Sequence, residues 1–86
     1  MGRHEKRMQL ILSGRQDGNL LFSDVCAVLD CLGFDRRVRG DHFIFTKDGV
    51  EEIVNIQPIG SKAKPYQVKQ VREIILRYRL GGDKNE

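Results

Sequence analysis

Residues 36–46 of the chain read Arg-Arg-Val-Arg-Gly-Asp-His-Phe-Ile-Phe-Thr, two short alternating runs separated by a Gly-Asp pair. A two-residue Gly-X loop between such runs is a β-hairpin signal, because glycine supplies the positive φ that the tight turn requires. With Gly40 and Asp41 as the loop, Arg39 faces His42, Val38 faces Phe43 and Arg37 faces Ile44, and each pair shares one side of the sheet. One side then carries Val38, Phe43 and Phe45. The other collects Arg37, Arg39 and His42, with Ile44 the apolar residue left among them. Phe43 and Phe45 are thereby assigned to core packing and not to stacking on bases. An imidazole among guanidinium groups at a strand end suits a polyanion whose backbone is cut by proton transfer.

The flanking segments supply the cover that such a sheet needs. Met8, Ile11 and Leu12 recur at helical spacing over 4–12, and Gly14 closes that helix. His4 falls on its solvent side. Residues 15–19 read as a connecting loop. Ser23 is placed as the N-cap of a second helix with Asp24 near its start. Val25, Cys26, Leu29 and Leu32 form the apolar stripe, and Gly33 followed by Phe34 reads as a glycine C-cap with its hydrophobic contact. Strands are expected near 35–39 and 42–46, with a turn at Lys47, Asp48 and Gly49 and a third strand over 51–56. Pro58, Gly60, Ser61 and Pro65 mark a loop. Pro65 then opens a last helix whose stripe is Val68, Val71, Ile75 and Tyr78, with Ile74 beside it and Gly81 ending it. Residues 83–86 are expected to fray.

This order, helix, helix, three antiparallel strands, helix, is an α+β arrangement with the helices on one face of the sheet and the other face open. Eighty-six residues, 40% hydrophobic and 31% charged, fit one domain over 1–86 and argue against disorder. No apolar run approaches the roughly 20 residues of a membrane-spanning helix, and the N-terminal segment lacks a signal peptide's apolar region, so a cytoplasmic protein is expected. Cys26 and Cys31 have no His or Cys at metal-ligand spacing and are read as reduced packing residues. No metal or cofactor is expected.

The formal net charge is only +3, but it is unevenly spread. Arg36, Arg37 and Arg39 crowd the hairpin, and Lys62, Lys64, Lys69, Arg72, Arg77 and Arg79 fall within 62–79 against Glu73 alone. Basic clusters of this kind attract polyanions more than net charge suggests. Arg37, Arg39, Lys62, Lys64 and Lys69 are the candidate RNA-binding residues.

Three motifs in order, FSDVCAVLDCLGF at 22–34, RGDHFIF at 39–45 and GSKAKPYQVKQVR at 60–72, resemble the HicA family of toxins from bacterial toxin-antitoxin modules. The resemblance spans about residues 20–80, with 1–14 as an N-terminal helical extension. It implies a double-stranded-RNA-binding-domain-like fold, cleavage of mRNA, and neutralisation by a HicB-type antitoxin. Carried over by position, the family's turn glycine falls on Gly40 and its single catalytic histidine on His42. Asp41 stands where the family usually has serine, and Phe43 follows the histidine. Such a site works without a metal, because RNA supplies its own 2′-hydroxyl nucleophile. His42 serves as acid or base, and Arg39 stabilises charge on the phosphoryl oxygens. A non-catalytic RNA-binding module of the same fold, and an interaction protein docking an acidic partner, are the alternatives.

Overall fold

The computed structural model describes residues 2–81, which form three helices and a three-stranded antiparallel sheet. Helix α1 spans Arg3–Ser13 and α2 Phe22–Cys31, followed by strands β1 Asp35–Arg39, β2 His42–Lys47 and β3 Val50–Ile56. A short antiparallel pair, β4 Pro58–Ile59 and β5 Lys62–Ala63, then leads into α3, Pro65–Tyr78. The sheet order is β1-β2-β3. The frayed end expected at 83–86 lies outside the described residues.

The hairpin register is the one its turn dictates: Arg39 pairs with His42, Val38 with Phe43 and Arg37 with Ile44. Gly40 has φ +61 and Asp41 a negative φ, the pattern of a type II′ turn with glycine in its first central position. Across β2 and β3, Phe43 pairs with Ile56, Ile44 with Asn55 and Phe45 with Val54. Phe45, Val54 and Ile56 are consequently buried under the helices, together with Val25, Val28 and Leu29 of α2 and Val68, Val71, Ile74 and Ile75 of α3. The rings of Phe22 and Phe43 meet edge to face at 4.9 Å between centroids, joining α2 to β2.

Helix α1 packs on both α2 and α3 through Met8 and Ile11, while Leu12, expected on its apolar face, is exposed. Two polar ties hold it. Arg7 Nε donates to Asp24 of α2 at 2.9 Å, and Arg72 of α3 donates to the Ile11 carbonyl and, in a two-pronged pair, to Asp17. Hydrogen bonding to the Asp17 carboxylate raises the Arg72 pKa, so this arginine is a strut of the fold and not a member of a free basic surface.

Several local expectations are corrected by what surrounds them. Ser23 is not the N-cap: Leu21 occupies that position, and the Phe22 N–H is already met by the Ser61 carbonyl, leaving the serine hydroxyl no capping role. The stretch expected to be loop after Ile56 contains β4 and β5, and Ala63 N–H bonds the Leu20 carbonyl to fasten it. The glycine cap of α2 is found as read, with Gly33 at φ +92 and Phe34 N–H reaching the Leu29 carbonyl. Helix α3 ends at Tyr78, three residues before Gly81, because Arg79 takes the left-handed conformation at φ 54 and Leu80 N–H bonds back to the Ile75 carbonyl.

Cys26 is buried, as a packing residue should be, and burial pushes its thiol up to about 11. Cys31 is exposed, contrary to the expectation. Its position at the last turn of α2 turns it away from the stripe of Val25, Val28 and Leu29. Among the described residues, no helix is long and apolar enough to cross a membrane.

Candidate nucleic-acid interface

Because side chains alternate along a strand, the burial of Phe45 and the packing of half-buried Phe43 against the helices turn His42 and Ile44 to the uncovered face. The same alternation puts Arg37 and Arg39 of β1 beside them, and Ile53 and Asn55 of β3 beyond. Among the described residues Arg37 and Arg39 make no ion pair, and both are exposed. Arg37, Arg39, Ile44, Thr46 and Ile53 line a shallow concavity that runs over to the β1 edge at Asp35 and Arg36.

His42 stands at the end of this face with 47% of its side chain exposed. Its Nδ1 lies 3.1 Å from Asn55 Oδ1, so Nδ1 carries the hydrogen and Nε2 is the free nitrogen of the neutral ring. Asp41 Oδ1 is 3.9 Å from Nε2. The other Asp41 oxygen accepts from Gln57 Nε2 at 3.2 Å, and the Gln57 backbone N–H donates to Gln67 Oε1 at 3.3 Å. Gln67 is 4% exposed, a buried amide on the first turn of α3. The turn beside His42 is thus tied through Gln57 to the start of α3, which brings that helix end to the same end of the sheet.

The other candidate residues fall elsewhere. Arg36 lies on the helix side of β1, where it pairs with Asp30 at 2.6 Å and its guanidinium covers the Phe43 and Phe45 rings. Lys62 is on β5, beside Leu21 and 3.5 Å from Asn19 Oδ1. Lys64 occupies the N-cap position of α3, and Lys69 is exposed further along that helix. The arginines and lysines therefore belong to separate elements, with α3's first turn as the link. Arg77 leaves the basic run by pairing with Glu52 at 2.6 Å; the Tyr78 hydroxyl, which donates to the same carboxylate, is the largest cause holding the Glu52 pKa below its usual value.

His4 is not the solvent-facing residue expected. Its Nδ1 is buried without a partner among the described residues, on the inner side of α1 near Met8 and Gly81. Asn55, Gln57 and Gln67 are the site residues that sequence reading passed over. Asn55 carried only a partial signal, a lone amide between Val54 and Ile56: counting through the Asp48-Gly49 turn places Ile53 opposite Ile44, and an irregularity between Phe45 and Lys47 shifts the register so that Asn55 stands there instead. Comparison with protein-family models, curated proteins and solved structures finds no match.

Chemically, the arrangement offers one proton-transfer group oriented by Asn55, two guanidinium groups on the same open face without an ion pair among the described residues, and an accessible floor of Ile44, Thr46 and Ile53. Phosphate oxygens are met by the arginines. The imidazole Nε2 is free to take or return a proton beside them.

Proposed function

We propose that the chain is a metal-independent mRNA endonuclease, a toxin of the HicA type on a double-stranded-RNA-binding-domain-like core, acting in the cytoplasm and neutralised by a HicB-type antitoxin. One observation carries the reading. His42 stands at a glycine-made turn on the face that carries Arg37 and Arg39, with Nδ1 held against Asn55 Oδ1 and Nε2 3.9 Å from Asp41 Oδ1.

In this reading the RNA backbone runs along the open face with its phosphate against Arg39 and Arg37. Nε2 of His42 takes the proton of the 2′-hydroxyl, the 2′-oxygen forms a bond to phosphorus, and the bond from phosphorus to the 5′-oxygen breaks. The departing 5′-oxygen receives a proton from water or from the imidazolium. Arg39 stabilises the negative charge that gathers on the phosphoryl oxygens. A single positioned acid-base group contributes about 10²–10⁴-fold, so cleavage is slow.

The Asp41 carboxylate, 3.9 Å from Nε2, favours a second reading: a non-catalytic RNA-binding module, in which that charge repels the scissile phosphate. His42→Ala separates the two. The endonuclease loses cleavage and growth arrest with RNA affinity and circular dichroism unchanged, because an exposed strand-end residue changes stability by no more than about 0.5 kcal/mol. Cleavage by wild type should persist in excess EDTA and leave 2′,3′-cyclic phosphate and 5′-hydroxyl ends. Full toxicity in folded His42→Ala protein, or 5′-phosphate products, would sink the proposal.

A further inference from the structure

The outer edge of β1 has main-chain hydrogen-bonding groups and an exposed valine that RNA binding on the open face leaves unused. In a two-residue hairpin the pair flanking the loop is hydrogen-bonded, and hydrogen-bonded and non-hydrogen-bonded pairs then alternate. Arg39 with His42, Arg37 with Ile44 and Asp35 with Thr46 are therefore the bonded pairs. The N–H and C=O groups of Arg36 and Val38 point the other way, outward from the sheet. β1 is a terminal strand of the β1-β2-β3 sheet, and all five of its residues are exposed. An uncovered edge of this kind is a template for another strand.

Its side chains specify which strand. Arg37 and Arg39 project to the open face without ion pairs among the described residues. Val38 projects to the helix side, yet remains 52% exposed, because the helices stop short of the sheet edge. The guanidinium of Arg36 is folded back onto Asp30 and the Phe43 and Phe45 rings, which clears the edge beside Val38. Directly opposed residues share a face. A strand added here sets its residues against Arg37 and Arg39 on one face and its residue against Val38 on the other.

We propose that the β1 edge binds an extended protein segment of alternating acidic and apolar residues by strand addition, with carboxylates against Arg37 and Arg39 and an apolar side chain against Val38. Main-chain bonds to Arg36 and Val38 give affinity, and the alternation gives specificity. A second copy of β1 does not fit, since antiparallel self-pairing opposes arginine to arginine. The proposal is independent of whether His42 is catalytic.

The test uses the whole chain and a synthetic peptide, acetyl-Glu-Val-Glu-Val-Glu-amide, followed by NMR. At saturation the amides of Arg36 and Val38 should slow in hydrogen exchange by about tenfold, while those of Arg37 and Arg39, already bonded to β2, change less than about twofold. A block peptide of the same composition, Glu-Glu-Glu-Val-Val, should bind about tenfold more weakly, as should the alternating peptide N-methylated at both valines. Val38→Pro should abolish peptide binding and keep the fold, because the lost N–H points outward and edge strands accept proline. Equal binding of the block or N-methylated peptide, or retained binding in Val38→Pro, would overturn strand addition. Protection of the Arg36 and Val38 amides by single-stranded RNA in place of the peptide, or by concentration-dependent self-association, would overturn the choice of occupant.

Discussion

His42 Nδ1 and Asn55 Oδ1 meet at 3.1 Å, a contact between the first residue of β2 and the penultimate residue of β3 that orients the imidazole. Removing the acceptor frees the ring to rotate and to exchange tautomers. Asn55 is accordingly a positioning residue for the proposed cleavage. Asn55→Ala should lower the cleavage rate by about tenfold or more, within the 10²–10⁴-fold that an acid-base group supplies, with RNA affinity unchanged. Asn55→Asp, which keeps an acceptor, should recover part of the rate and displace the pH–rate profile. An unaltered rate in Asn55→Ala would mean that the ring needs no orientation.

A second expectation concerns charge. Arg37 and Arg39 have no ion pair among the described residues, whereas Arg36, Arg72 and Arg77 are engaged by Asp30, Asp17 and Glu52. Affinity for single-stranded RNA should fall with salt at a log-log slope of about −0.7 per phosphate neutralised. Arg39→Ala should reduce that slope by about 0.7, and Arg39→Ala with Lys64→Ala should reduce it further. Arg72→Ala and Arg77→Ala should leave it unchanged. A slope that responds to Arg77 but not to Arg39 would place the RNA on the helix side.

The hairpin was readable because two local constraints agreed. Gly40 and Asp41 set the register, and the period-2 alternation of Val38, Phe43 and Phe45 said which face is covered. Helix α1 and the Gly33 cap were legible for the same reason, since short-range pattern and cap chemistry coincide there. What stayed hidden depends on contacts distant in sequence. Strands of two residues, such as β4 and β5, show no periodicity, and Pro58, Gly60 and Pro65 look like loop until Leu20 and Phe22 come alongside. The Ser61 carbonyl took over the role assigned to Ser23. Arg72 looked free because Asp17, its partner, is 55 positions away. Val38 shares the covered face by alternation, but only the extent of the helices shows that it lies beyond their cover.

Arg72 and Asp17 form the best-shielded ion pair among the described residues, with side chains 16% and 21% exposed. Loss of either partner strands the other, and loss of Arg72 also frees the Ile11 carbonyl near the end of α1. Full burial makes such a loss cost about 3–5 kcal/mol. The residual exposure here brings the expectation for Arg72→Ala to about 2 kcal/mol, read from chemical denaturation. Asp17→Ala should cost a similar amount, and the double variant less than the sum. Additive costs would show that the two residues act separately.

Cys26 and Cys31 should differ sharply toward thiol reagents. The thiolate is the reactive form, and burial pushes the Cys26 pKa up to about 11, while Cys31 is exposed at the end of α2. Native protein at pH 8 should show one rapidly titrating thiol, assigned to Cys31 by its loss in Cys31→Ser, and a second that reacts only on unfolding. Fast labelling of both in the folded state would mean that α2 opens locally.

Acid stability offers the last test. The Glu52 carboxylate accepts from the Tyr78 hydroxyl and from Arg77, and these bonds, the tyrosine's first, lower its pKa from the usual 4.5. A carboxylate whose folded pKa is depressed binds fewer protons in the folded state than in the unfolded one. Its stabilising contribution is therefore fully present above pH 4.5 and is lost as pH falls through the lower folded value. Glu52→Gln keeps an oxygen acceptor for Tyr78 but cannot titrate, so its stability should depend less steeply on pH below 4.5 than that of the wild type. Tyr78→Phe removes the larger cause and should move the wild-type acid transition toward higher pH. Parallel acid-stability curves for wild type and Glu52→Gln would show that this carboxylate does not link β3 to α3 in solution.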